Sequence, residues 1–211
     1  MNDGILGNVG LGAGSISTGT LADARLSSNI PTHTQLSARD NQPTGAIDLF
    51  PRGEGNIATT ATVSGSFYLH CFTPAQSLTV SQISIGSGNT AAASATLIQF
   101  GLYSYNETTA TLLARCDSDV TLFSAINTFY TRSFSTTGGY PSTYTLRAGT
   151  RYGIGVLVIA TTMPTLTGKG VAAVMLGLNP RLCVQLGSQS SLPTSAAISA
   201  IAGNVFFGRL S

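Results

Sequence analysis

Fifteen of the sixteen aromatic residues lie after residue 60, and Phe50 is the exception. Aromatic side chains carry much of a core's burial, so this distribution confines a packed interior to residues 61–211. Residues 1–60 hold isolated aliphatics, closely spaced glycines (GNVGLGAG, residues 7–14) and prolines at 31, 43 and 51. Such a segment cannot close an independent globule and is either disordered or ordered by partners. The expected organisation is an extended N-terminal arm over residues 1–60, serving attachment or oligomerisation, and one globular domain over residues 61–211.

The domain reads as strands. Phe67–Phe72 is an aromatic-rich run ended by Thr73-Pro74. Leu78 and Val80 alternate, then Ile83 and Ile85 alternate on the opposite parity. Such a slip predicts a β-bulge near Ser81-Gln82. Leu97–Tyr105 predicts a long strand, the stretch NETTAT its hairpin turn and Thr111–Cys116 the return. Further strands are expected at Thr128–Phe134, Tyr144–Leu146, Arg151–Ala160, Val171–Leu178, Leu182–Leu186 and Val205–Leu210. Turns are expected at Gly138-Gly139-Tyr140-Pro141 and Arg147-Ala148-Gly149-Thr150. No amphipathic helix stands out, and Ala22–Ser27 suffices for one or two turns at most. Many short strands with closely spaced turn signals predict an all-β fold, a jelly-roll-like β-sandwich.

Some of these strands are apolar on both faces. Ile154, Val156 and Val158 point one way, Leu157 and Ile159 the other. The outer face of a two-layer sandwich should be polar, so something is expected to cover it. A neighbouring subunit is one candidate, with Gly153 and Gly155 admitting its backbone. A third layer made by the chain's own loops is the other.

Chemistry is sparse. Charged residues make up 9% of the chain, the net charge is +2, and Lys169 is the one lysine. Ser and Thr supply about a quarter of the residues. Nine scattered arginines do not make the basic footprint that nucleic acid requires. The longest apolar run, Gly153–Ala160, has a strand's length, so no membrane insertion is expected. The N-terminus lacks a basic region followed by an apolar core, which points to no secretory signal. Cys71, Cys116 and Cys183 are odd in number and far apart, as expected of reduced packing residues rather than a disulfide framework or zinc site.

His33 and His70 have no partner at a ligand spacing, and His70 sits among apolar neighbours as a packed or interface residue. Asp117-Ser118-Asp119 reads as an Asx-type turn; a calcium site would need about six oxygens. There is no Gly-x-Ser-x-Gly elbow, and Glu54 and Glu107 are the only glutamates. No catalytic constellation, metal or cofactor is expected.

The phrase Gly19-Thr20-Leu21-Ala22-Asp23-Ala24-Arg25-Leu26, closing on Asn29-Ile30-Pro31, resembles a short module of bacteriophage tail fibres and related virion fibres. Ser27 stands where that module usually has proline. The patches Phe67–Phe72, Phe100–Tyr103, Asp119–Phe123 and Leu146–Tyr152 resemble a β-sandwich domain of phage minor tail and fibre proteins. Together they cover well under half of the chain. The resemblance implies a structural or adhesive virion protein, assembled in the host cytoplasm and usually a homotrimer.

In such a trimer Leu21, Leu26 and Ile30 would bury one another around a threefold axis, and Asp23 and Arg25 would pair across chains. Other virion proteins, of tail or capsid, would be partners, and a host surface glycan a further one. Tyr105, Asn106 and Tyr140 are the candidate receptor contacts, on loops rich in Tyr, Asn, Ser, Thr and Gly. A capsid decoration or head-fibre protein, favoured by the short chain, and a carbohydrate-binding module are the alternatives.

Overall fold

The computed structural model describes residues 45–52, 56–171, 175, 177–197 and 200–211. Leu21, Asp23, Arg25, Leu26, Ile30 and His33 lie outside these residues.

The described residues form antiparallel β-structure without an α-helix. In chain order the strands are β1 (Ile47–Asp48), β2 (Asn56–Ala61), β3 (Phe67–Phe72), β4 (Leu78–Val80), β5 (Gln82–Gly86), β6 (Ala93–Tyr105), β7 (Thr109–Arg115) and β8 (Phe129–Ser133). They continue as β9 (Tyr144–Leu146), β10 (Tyr152–Thr162), β11 (Thr165–Gly170), β12 (Cys183–Leu186), β13 (Ser195–Ala197), β14 (Ala200–Ile201), β15 (Asn204–Phe206) and β16 (Gly208–Leu210). The largest sheet has the order β13-β7-β6-β10-β3-β12-β14, and a four-stranded sheet runs β1-β16-β5-β8. Smaller sheets run β15-β11-β2 and β4-β9.

The main core lies between these sheets. Phe100, Ile154 and Val156 of the large sheet pack in one cluster with Ile83, Ile85 and Leu210 of the four-stranded sheet. All six are fully buried. Each contributes roughly 1.5–3 kcal/mol of burial, which selects the register that turns these residues inward.

The other face of the large sheet is also buried, and the chain itself covers it. Phe67, Leu69, Tyr103 and Leu157 form a second cluster with Leu192 and Ala196. The segment leading into β13 is laced down there: the Tyr103 hydroxyl donates to the Pro193 carbonyl at 3.0 Å, and the Leu112 amide donates to the Thr194 carbonyl at 3.0 Å. Gly153 and Gly155 serve this layer. A Cβ on Gly153 would sit 2.6 Å from the Leu69 side chain, and one on Gly155 would sit 2.5 Å from the Phe67 ring and 2.7 Å from that of Tyr103. The glycines therefore admit side chains from the flanking strands, not the backbone of another subunit.

The bulge expected near Ser81-Gln82 forms: both amides donate to the one Ser211 carbonyl, at 2.7 and 2.9 Å, so that two residues oppose one. At the same point the chain leaves the β4-β9 sheet and enters the four-stranded one. Other expectations are corrected in detail. Val205–Leu210 is two strands. It breaks at Phe207, so that β15 pairs with β11 and β16 with β5.

Val171, Met175, Gly177 and Leu178 lie in no strand. Met175 and Leu178 are 50% and 59% exposed, so apolarity there does not mark a sheet face. The domain also begins before residue 61: β1 pairs with β16, and β2 pairs with β11. Those strands carry no aromatic residue, which is why aromatic distribution misses them.

Candidate functional site

The β6–β7 turn forms as the sequence suggests, but its side chains are committed to the fold. Asn106 is exposed. Its Oδ1 accepts from the Thr109 amide at 2.8 Å, the Thr108 hydroxyl at 3.1 Å and the Thr108 amide at 3.3 Å. Glu107 takes a left-handed φ of 74°. Its carboxylate holds Arg151 Nη1 at 2.6 Å and accepts from the Arg181 amide at 3.2 Å.

Tyr105 is only 4% exposed, which corrects its reading as an exposed contact. Strand alternation puts Tyr103 and Tyr105 on the same covered face of β6. Burial pushes the Tyr105 phenol up to about 12. The Arg151 guanidinium stands 5.2 Å above its ring, and its hydroxyl donates to the Glu107 carbonyl at 3.2 Å. Tyr140 follows two glycines with φ of 77° and 81°. It is half-buried against the second cluster, so it too serves the chain's own outer layer.

Asp117, Ser118 and Asp119 border an open cleft of about 860 Å³, opposite Thr131–Thr136. The Asx-type turn is present: Asp119 Oδ1 accepts from the Thr121 hydroxyl at 2.6 Å and from its amide at 2.9 Å. Those bonds, the hydroxyl's foremost, and an ion pair with Arg132 hold the Asp119 carboxyl below its usual range. Asp117 accepts from the Ser135 hydroxyl at 2.7 Å. No three His, Cys, Asp or Glu side chains among the described residues group as metal ligands.

The groups with most intrinsic reactivity are sealed. His70 Nδ1 lies 2.6 Å from the Phe206 carbonyl, to which it donates. Its ring packs against those of Phe206 and Phe50. Burial lowers it to about 4, so it is neutral near pH 7. All three cysteines are free and buried. Burial pushes the Cys71 and Cys116 thiols up to about 12, and that of Cys183 also upward.

A different constellation occupies the outward side of the four-stranded sheet, where sequence reading placed no site. Asp48 of β1 stands opposite Arg209 of β16. Its carboxylate, 1% exposed, takes Arg209 Nε at 2.6 Å and Arg52 Nε at 2.7 Å. Arg209 extends over the Phe129 ring, 5.9 Å from its centroid. Phe129 remains 46% exposed. It lies beside Gly86, where a Cβ would meet its ring at 3.2 Å and the Thr167 hydroxyl at 3.0 Å. Arg52, Phe129, Thr167, Phe207 and Arg209 line a cleft of about 490 Å³. Asp48 and Arg209 are 161 positions apart, so no local spacing signals the pair.

No family model matches the chain, and no curated protein matches it.

Proposed function

We propose that this chain is a non-enzymatic bacteriophage virion structural protein, a short trimeric tail fibre. Its N-terminal arm, through Leu21, Leu26 and Ile30, attaches it to other virion proteins. Its jelly-roll-like domain faces the host surface. One observation carries the choice of binding over turnover: among the described residues, the carboxylates, His70 and the thiols are tied into the fold while a sheet face stays open. Asp48, Glu107 and Asp119 each hold an arginine, and His70 and the thiols are buried in their uncharged forms. A general base or nucleophile needs reach and a matched pKa, which His70 and the thiols lack. Arg52, Phe129 and Arg209, by contrast, border open space. The virion assignment rests on the phrase Gly19–Leu26 and its likeness to fibre modules.

Gold-labelled antibody on intact particles tests this reading. Label at the tail tip, together with a trimeric mass by light scattering, is the expected result. Label spread over the head would make the chain a capsid decoration protein, and label on no particle would refute a virion role.

A further inference from the structure

We propose that the cleft on the four-stranded sheet binds an acidic sugar residue, a hexuronate or sialate unit of a surface polysaccharide. This deepens the host-contact reading above and rests on it for biological meaning only; the binding itself is a property of the isolated chain.

Three features converge on that class of ligand. The first is charge. Two guanidinium groups line the cleft, and among the described residues the one carboxylate paired with them is that of Asp48, which is 1% exposed. The Asp48 pair uses Nε of Arg52 and the Nε and Nη2 edge of Arg209. It thereby fixes both side chains while leaving terminal amino groups outside the pair. Arginines held in place in this way present a planar fork suited to a carboxylate.

The second feature is an aromatic platform. Phe129 is half exposed and braced by Phe207, with ring centroids 5.6 Å apart. Its ring supplies the flat apolar face on which the C–H side of a pyranose rests.

The third feature is a hydrogen-bond acceptor. The Thr167 hydroxyl donates its proton to the Ser87 carbonyl at 2.9 Å. Toward the cleft it can therefore only accept. A ligand must bring hydroxyl donors as well as negative charge. A hydroxylated sugar carboxylate brings charge, donors and an apolar ring face, whereas inorganic phosphate brings charge and P–OH donors but no face to rest on Phe129. The cleft's volume, about 490 Å³, falls within the range of small-ligand sites.

Glycan binding by the purified full-length chain tests this. The probes are oligosaccharides of galacturonate, of glucuronate and of sialate, with neutral dextran and inorganic phosphate as controls. The expected result is saturable binding of at least one acidic probe, weakened by salt, and absent for dextran and phosphate. Phe129→Ala and Arg52→Gln alter partly exposed side chains and should each weaken binding about tenfold. Their thermal melts, compared with the parent's, verify folding. Arg209 is left intact because it holds the buried Asp48 carboxylate through two nitrogens, Nε and Nη2, whereas Arg52 holds it through Nε alone. The proposal fails if none of the three acidic probes binds above dextran. It also fails if phosphate binds equally well, or if both folded variants bind as the parent does.

Discussion

Gly155→Ala isolates the reason a glycine sits in the middle of the longest pair of strands. The backbone there is extended and tolerates alanine. The added methyl, however, would lie 2.5 Å from Phe67 Cε2 and 2.7 Å from Tyr103 Cε2. Carbon atoms pack comfortably at about 3.5–4.0 Å, so both rings would have to retreat by about 1 Å. Neither has room, because each is fully buried and their centroids are 5.0 Å apart. Overpacking of this kind costs about 1–3 kcal/mol.

Restricting the unfolded chain returns only about 0.4–1 kcal/mol. The net loss is therefore about 1 kcal/mol, or roughly 2–4 °C in Tm for a domain of this size. Calorimetry with light scattering on the same samples is the assay. Phe67→Leu in the Gly155→Ala background should recover part of the loss, since the two positions share one clash. Gly187→Ala, where an added Cβ meets nothing within 4 Å, is the control and should change stability by under about 0.5 kcal/mol. If Gly155→Ala melts like the parent while the oligomeric mass falls, the glycine makes room for another subunit and the reasoning above is wrong.

Three further outcomes follow from the same contacts. Burial lowers His70 from 6.5 to about 4, so the unfolded chain takes up its proton first as pH falls. That stabilisation is complete above about pH 6.5 and is lost as pH falls through the folded value, about 3 kcal/mol in all. Urea denaturation at pH 7.5, 6 and 5 should show the decline, and a flat profile would contradict it. Asp48→Asn should cost about 2–4 kcal/mol by urea titration, because it leaves Arg209 and Arg52 without their carboxylate. Removing residues 1–60 should lower stability far more than removing residues 1–44, by on the order of 5 kcal/mol, because residues 45–60 supply β1, β2 and Phe50. Equal melting temperatures for the two truncations would refute that.

What could be read from the sequence was whatever local alternation and turn chemistry encode. The hairpin at Asn106–Thr109 and the glycine turn before Tyr140 have strong local signals, and both form. The strand Thr165–Gly170 was missed because TLTGKG has one large aliphatic residue and two glycines. It is a strand because β15 and β2 flank it. The slip at Ser81 marks both a bulge and a change of sheet, and the break at Phe207 marks a change of sheet. Alternation reports that the inward face changes, but not that the chain moves to another sheet. Site residues were less legible. Tyr105 looks like a loop-edge ring by its polar neighbours, yet the parity it shares with Tyr103 buries it. Arg52, Phe129 and Arg209 meet only through pairing between distant strands, which no spacing rule reaches.

The cover over the large sheet changes where an oligomer must be sought. Strands apolar on both faces are a sound reason to expect a third layer, and the chain supplies that layer with Leu192, Ala196 and Tyr140. The apolar residues left exposed include Val63, Val120, Ile126 and Leu178. They stand in three loops, outside every strand, and scattered exposed hydrophobes are ordinary on monomers. Self-association by residues 45–211 thus loses its main argument, and the case for a trimer falls to the segment that carries the fibre-like phrase. The full-length chain should scatter light as a trimer, and residues 45–211 as a monomer, at the same micromolar concentration. A trimeric mass for residues 45–211 would show that the domain's own surface associates. A monomeric mass for the full-length chain would remove the trimer from the fibre reading.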